Sequence, residues 1–336
     1  MKELRAGVIG TGSIGKDHIT RLMENINGIT VTAVMDKYPQ AARGIAEKYG
    51  LRIEPDMDAL IQSSDVDVIV VTAASDVHEE AVLKGIQEGK PIFCEKPLAP
   101  SREACKRIIE AEMTGGKRLV QLGFMRRFDE GYKKMKAIID SGKMGAPLLV
   151  KCAHRIPRMD NPEFSASMQI TDGIIHELDL LHWLINDEYR TVRVIFPRQS
   201  KNKKGLQIDP QIAVLRTKQN IYLEIESYFN CRFAYDIRCE VVCEDGEVNL
   251  NDPLAVPVRY GGRCMTDLEM DWIQRFVSAY DAEFQAWVDG VKSGKPTGAN
   301  AWDGYVAAVA ADACIRSQET GEEVTVDLGE TPGFYR

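Results

Sequence analysis

The sequence has 336 residues, 42 lysines and arginines against 50 aspartates and glutamates, and a net charge of −8, a length that suits two domains with substantial cores. An acidic chain without a long basic block is a poor match to nucleic acid or to an anionic membrane. The opening MKELRAGVIG is charged at once, and no stretch approaches the ~18 consecutive apolar residues of a membrane span, so a cytoplasmic protein is expected.

An apolar run through Ala6, Val8 and Ile9 ends at Gly10, and helical spacing through Ile14, Ile19, Leu22 and Ile26 begins around Ser13. Between them lies GTGSIG. In a strand, tight turn and helix, the pattern Gly10-x-Gly12-x-x-Gly15 has a mechanical reading. The first glycine makes the turn, the second lets a pyrophosphate approach the backbone, and the third lets helix pack on strand. The helix N-terminus offers free N–H groups and the positive end of its dipole to the phosphate. A second apolar run, 29–35, stops at Asp36, 21 residues beyond Gly15, where a carboxylate would accept hydrogen bonds from an adenosine ribose. Its charge would repel a 2′-phosphate, so NAD is expected in preference to NADP. Lys37 softens that preference if it is more than a solvated surface lysine.

Helical stretches at 39–49, 56–63, 78–88 and 101–113 then alternate with strands at 66–72, 91–94 and 118–124. Strands as apolar as VDVIVVT imply a parallel sheet covered by helices on both sides, an α/β Rossmann domain over residues 1–124. From Arg126 the texture changes. A helix at 129–140, a strand at 147–154 and a helix at 171–185 precede strand-like segments at 192–196, 208–216, 221–229, 237–243 and 247–250. Leu223 and Ile225 alternate with Glu224 and Glu226, the period of a sheet with one polar face. Residues 125–336 therefore read as an α+β domain on a large, mostly antiparallel open sheet, and the polar face bearing Tyr222 and Tyr228 is a candidate subunit contact. Leu268, Trp272, Phe276, Phe284, Trp287 and Val291 at helical spacing, followed by the alanine-rich 305–315, read as core-forming helices.

A substrate is expected at the carboxyl ends of the parallel strands, next to the second domain. Two clusters qualify. Cys94-Glu95-Lys96-Pro97 places a cation and a rigid turn at the nicotinamide end of the sheet; Lys96 would otherwise be a solvated loop lysine. In DGIIHELDLLHWL, Asp172, His176 and Asp179 fall at i, i+4 and i+7, one face of a helix. Hydride transfer from an alcohol needs a group to take the hydroxyl proton, which suits a histidine near its natural pKa. Asp172 would orient it or touch the substrate directly, and a capped helix with a core histidine is the alternative. His182, between Leu181 and Trp183, reads as buried structure, His154 as a pocket residue, and His18 as a neighbour of the cofactor without an assigned role. Eight cysteines without a CxxC pair, Cys239 and Cys243 included, read as reduced thiols. His182 comes two residues too late after His176 for a zinc pair, so no metal is expected.

GVIGTGSIGKDHITRL, FCEKPLA and DGIIHELDLLHWL resemble three marks of the glucose-fructose oxidoreductase, inositol dehydrogenase and rhizopine catabolism family. LGFMRRFDEGY, KCAHR, the DPQI run at Asp209, FNCRFAYDIRCE, MDWIQRFVSAYDAEFQAW and AWDGYVAAVAADACIRSQETG resemble its inositol dehydrogenase branch over essentially the full length. The resemblance implies NAD-dependent oxidation of a secondary hydroxyl of a cyclitol to the ketone, within inositol catabolism. It implies a catalytic triad of Lys96, Asp172 and His176, with His176 as base, Asp172 its partner and Lys96 on the reacting oxygen. Arg126, Arg127, His154 and Tyr235 would line the cyclitol pocket, and open sheets would join a homotetramer. The cofactor set is then Gly10, Gly12, Ser13, Ile14, Gly15, Asp36, Lys37, Ala73, Glu95 and Lys96.

Two positions depart from that branch: Ile156 stands where Asn is common, and Gly173 where Thr is common. Each loses hydrogen-bonding capacity, at about 1–3 kcal/mol per buried unpaired group. A wider, less polar pocket is expected, which keeps another inositol isomer, a methylated inositol, or a pyranose or glycoside open as substrate. A nucleotide-binding sensor without turnover is the rival from another class, and the presence of Lys96, Asp172 and His176 together speaks for an enzyme.

Overall fold

The computed structural model describes residues 3–251 and 256–336. They fall into two units, one of Met1–Met125, Ser278–Ala308 and Glu330–Arg336, the other of Arg126–Val277 and Val309–Gly329.

In the first unit β1 (Leu4–Ile9), α1 (Ser13–Glu24), β2 (Ile29–Met35), α2 (Pro39–Tyr49), β3 (Arg52–Ile53), α3 (Met57–Gln62), β4 (Val68–Val71), α4 (Ser75–Gln87), β5 (Ile92–Cys94), α5 (Arg102–Gly115) and β6 (Val120–Leu122) alternate along the chain. The strands form one parallel sheet in the order β3-β2-β1-β4-β5-β6. Strand order reverses beside β1, the switch point of a doubly wound fold. Every residue of β4 is buried, as a strand covered on both faces requires. Helix starts follow local chemistry: Asp56 caps α3 through the Ala59 N–H at 2.8 Å, and Ser101 caps α5 through the Ala104 N–H at 3.2 Å. The short β3 was not anticipated, since two exposed residues carry no periodic signal. Val8, Ile19, Leu22, Val68, Val70 and Phe93 share a core with Phe284, Trp287 and Val288 from much later in the chain.

The second unit opens with a 3₁₀ turn, Met125–Phe128, and then α6 (Glu130–Asp140), β7 (Pro147–Arg155), α7 (Ala166–Met168), a π-helical segment Gln169–Ile174 and α8 (Ile175–Ile185). Next come β8 (Tyr189–Ile195), β9 (Gln211–Thr217), β10 (Tyr222–Tyr228), β11 (Asp236–Cys243), β12 (Glu247–Asn249) and the hairpin β13 (Pro257–Tyr260) and β14 (Arg263–Thr266). After α9 (Trp272–Ser293) and α10 (Ala301–Thr320), β15 (Val324–Thr325) completes the sheet order β12-β11-β7-β10-β9-β8-β15. Only the β7–β10 pairing is parallel. Along β10, half-buried Tyr222, Glu224, Glu226 and Tyr228 alternate with buried Leu223, Ile225 and Ser227, the period expected from the sequence. The exposed hairpin and β15 were not anticipated. Leu268 lies outside α9 and is 44% exposed, so the apolar stripe begins at Trp272 instead. No helix of the described residues is long and apolar enough to cross a membrane.

The expected single helix over 171–185 is corrected. Helical structure starts at Ala166 and passes through the π segment, where the Ile175 N–H reaches back five residues to the Ile170 carbonyl.

In the first unit α1 is pressed onto the end of β1 at Gly15, where an added Cβ would collide with the Gly10 carbonyl oxygen and stand 2.8 Å from Thr72 Oγ1. Gly15→Ala is therefore expected to destabilise the protein by about 1–3 kcal/mol, the usual cost of overpacking. Urea unfolding measures this, and an unchanged midpoint would contradict the packing described.

Candidate active site

At the carboxyl end of β1, Gly10 has φ +96°, and its carbonyl accepts the Thr72 hydroxyl at 2.7 Å. An added Cβ at Gly10 would lie 2.5 Å from the Ala73 nitrogen, so the turn is pressed onto the end of β4. At Gly12 the same test finds nothing within 4 Å. Gly12 is the N-cap of α1 and no side chain caps the helix, while Ser13 is exposed and Ile14 half-buried. The first amides of a helix have no partner within it. An open cradle next to uncapped amides fits a pyrophosphate.

Asp36 sits half-buried just past β2. Its Oδ2 accepts the Thr11 N–H at 2.7 Å and the Thr11 hydroxyl at 2.8 Å, and its Oδ1 accepts the Tyr38 N–H at 2.9 Å. Burial opposes the charge, but the Tyr38 and Thr11 donors outweigh it and hold the carboxyl below its ordinary value. A carboxylate has about four acceptor positions, so Oδ1 retains one for a ribose hydroxyl. Lys37 is exposed, with its ammonium 6.0 Å over the Tyr38 ring.

Glu95 follows β5 and is buried. Its Oε1 lies 2.7 Å from His18 Nε2, and its Oε2 accepts the Lys96 N–H at 3.2 Å. Lys96 itself is half-buried. His18, to which the sequence assigned no role, is thus the partner of the residue before Lys96.

In the second unit a buried charge cluster surrounds the end of β7. His154 Nδ1 lies 3.0 Å from Glu177 Oε2, and the other oxygen of Glu177 takes the Arg126 guanidinium. That guanidinium also lies 5.5 Å from the Phe276 ring. Arg127 forms a two-pronged pair with Asp179, at 2.9 and 2.5 Å. Burial opposes the charge on Glu177, but Arg126 and His154 overcome it and hold the carboxyl down at about 2. Tyr235 packs edge-on to His154 at 6.0 Å, and burial pushes its hydroxyl up to about 12. Arg126, Arg127, His154 and Tyr235 are therefore gathered around one helix turn, with both arginines committed to carboxylates.

Asp172 is exposed, His176 half-buried and Asp179 buried against Arg127. His182 is half-buried rather than buried, its ring 5.9 Å from that of Tyr189. At Gly173 an added Cβ would lie 2.3 Å from Phe229 Cζ. Phe229 is buried, held by its N–H on Asp209 Oδ1 at 2.8 Å, with its ring 5.2 Å from that of His154. The space that a larger residue 173 would need is filled. Ile156 is fixed by its backbone, donating to the Tyr228 carbonyl at 2.9 Å and accepting from the Cys231 N–H at 3.1 Å.

Glu177 and Phe229 were missed from the sequence. Two adjacent arginines upstream and two carboxylates set among leucines in HELDLL were the available signal for buried ion pairs. All eight cysteines are free thiols, seven of them buried. Among the described residues no group of three His, Cys, Asp or Glu side chains is placed to hold a metal.

Residues 4–124 match the family model for the NAD-binding Rossmann fold of Gfo/Idh/MocA oxidoreductases, and residues 136–327 match that for their C-terminal α/β domain. The chain belongs to the Gfo/Idh/MocA oxidoreductase family. Within this family it is 47% identical over 335 residues to the inositol 2-dehydrogenase of Burkholderia cenocepacia, covering 99% of each chain. It is 48% identical over 334 residues to that of Pseudomonas fluorescens, again covering 99% of each. The fold is similar to the crystal structure of myo-inositol dehydrogenase from Lactobacillus casei in complex with NAD(H) and myo-inositol. The TM-score there is 0.96 at 40% identity, over 99% of this chain and 100% of that one.

In this Gfo/Idh/MocA protein, Glu177→Gln leaves the Arg126 guanidinium buried without its counter-charge, at an expected cost of about 3–5 kcal/mol. The wild-type carboxylate contributes fully above its ordinary value of 4.5, and that contribution is lost as the pH falls toward about 2. Urea unfolding at neutral and acid pH should show the two proteins converging over that window. A difference that does not change with pH would contradict the assignment.

Proposed function

We propose that the chain is an NAD-dependent dehydrogenase that oxidises one secondary hydroxyl of a cyclitol, myo-inositol or a related inositol, to the ketone. The observation that carries this reading is the 47–48% identity to inositol 2-dehydrogenases over 99% of the chain. Nothing in the comparisons favours the pyranose or glycoside alternative.

NAD, when bound, supplies the hydride acceptor at nicotinamide C4. The uncapped amides of α1 and the cradle at Gly12 hold the pyrophosphate, with Ser13, Ile14 and Ala73 beside it. Asp36 takes a ribose hydroxyl on its remaining acceptor position and disfavours a 2′-phosphate. His176 accepts the proton of the reacting hydroxyl on its imidazole as the ring carbon gives up its hydride, so that the C–O bond becomes a carbonyl. Asp172 steadies His176, and the Lys96 ammonium holds the substrate oxygen. Arg126 and Arg127 act behind the pocket through Glu177 and Asp179, which leaves His154, Tyr235, Ile156 and Gly173 as the nearer wall.

The reading extends to a cytoplasmic enzyme of inositol catabolism that assembles as a homotetramer through the polar face of β10, where Tyr222, Glu224, Glu226 and Tyr228 are only half-buried. Static light scattering of the purified protein tests the assembly.

Purified protein with NAD should form NADH, followed at 340 nm, with myo-inositol or a related inositol. Turnover of glucosides alone would overturn the substrate class. His176→Ala is expected to lower kcat/KM by ~10² to 10⁴, the worth of a positioned general base, and near wild-type activity would remove His176 from the reaction.

A further inference from the structure

α1 carries His18 less than one turn past Gly15, and the side chain is fully buried. Its ring is enclosed by Phe284 at 4.7 Å, Tyr280 at 5.5 Å and Phe93 at 6.1 Å between centroids. An imidazole in such an apolar cage needs polar partners for its nitrogens. On one side, Nδ1 lies 3.1 Å from Arg21 Nη1. Asp17 Oδ2 lies 3.6 Å from the same nitrogen. On the other side Nε2 lies 2.7 Å from Glu95 Oε1, and an ionised carboxylate only accepts, so Nε2 is the donor.

Arg21 is itself fixed, by Asp17 on the same helix and by Asp281 Oδ1 at 2.7 Å. Beyond Glu95, the Lys96 N–H donates to Oε2 at 3.2 Å. Gly123 gives the carboxylate room, since a Cβ there would stand 3.0 Å from Oε1. Polar contacts therefore run from Asp17 and Arg21 to His18, and hydrogen bonds from His18 and from the Lys96 backbone meet on Glu95.

We propose that His18 and Glu95 are positioning residues for Lys96, tying the turn after β5 to the helix that presents its N-terminus to the cofactor. The proposal rests on the dehydrogenase reading for its consequence in catalysis, but the tie itself has a readout that does not. The groups that face Glu95 and His18 are Asp17 and Arg21 from α1, Tyr280 and Asp281 from α9, Cys94 from β5, and Lys96. Burial opposes the charge on Glu95, and His18 and Lys96 hold its carboxyl below the ordinary value. Without His18 that balance tips and the carboxyl takes up a proton at higher pH.

His18→Phe keeps a ring in the cage and removes the donor; His18→Gln restores an N–H donor on a side chain of similar reach; His18→Asn is too short. Hydrogen exchange by mass spectrometry on the peptide spanning residues 95–98 is the measurement independent of turnover. Exchange should rise about tenfold in the Phe and Asn variants, the worth of one lost hydrogen bond, and return toward wild type in the Gln variant. In NADH formation with myo-inositol, kcat should fall about tenfold in the Phe variant, with its acid limb moved to higher pH and little change in KM for NAD. Gln should rescue both. Unaltered exchange in folded Phe and Asn variants, or loss without rescue by Gln, would overturn the proposal. Raised exchange with Gln rescue, in a wild type that binds NADH but oxidises no cyclitol, would keep the tie and defeat the dehydrogenase reading instead.

Discussion

The first unit depends on how closely α1 is pressed onto its sheet. At Gly15 there is no room for even one carbon between the helix and the Gly10 carbonyl, and at Gly10 none between the turn and the end of β4. That contact has two effects. It leaves the first amides of α1 beside an open cradle at Gly12, the arrangement that favours an anion. It also brings His18 down onto Glu95, so the helix that would receive the pyrophosphate is hydrogen-bonded to the turn bearing Lys96. Packing at one glycine thus sets both cofactor recognition and the position of a proposed catalytic cation.

The second unit solves a different problem, the burial of charge. Two arginines, two carboxylates and a histidine lie out of water around the end of β7 and the start of α8. Each charge is matched, as burial requires. The depressed Glu177 carboxyl measures how far Arg126 and His154 outweigh desolvation. Such a cluster fixes His154 in one orientation. Against it stands Phe229, which fills the space beside Gly173.

Much of this was legible in the sequence. The strand, turn and helix around GTGSIG, the acidic residue after β2 and the continuous apolar strands have a strong local signal, and β2 and α2 were found with the expected bounds. The period of β10 was equally plain. What escaped was non-local. No spacing rule reveals that His18 and Glu95, 77 residues apart, are hydrogen-bonded, or that Glu177 lies between Arg126 and His154. The π segment escaped because its sequence fits an α-helix, and only the packed structure shows the extra residue in the turn. The neighbour of Gly173, Phe229, escaped too, since it comes from a distant loop.

The central claim is direct hydride transfer from a cyclitol ring carbon to NAD. It is tested most directly by incubating the protein with NAD and myo-inositol carrying deuterium on its ring carbons, and examining the reduced nucleotide by mass spectrometry and NMR. The account predicts one deuterium per nucleotide, at nicotinamide C4. Reduced nucleotide without deuterium would contradict it.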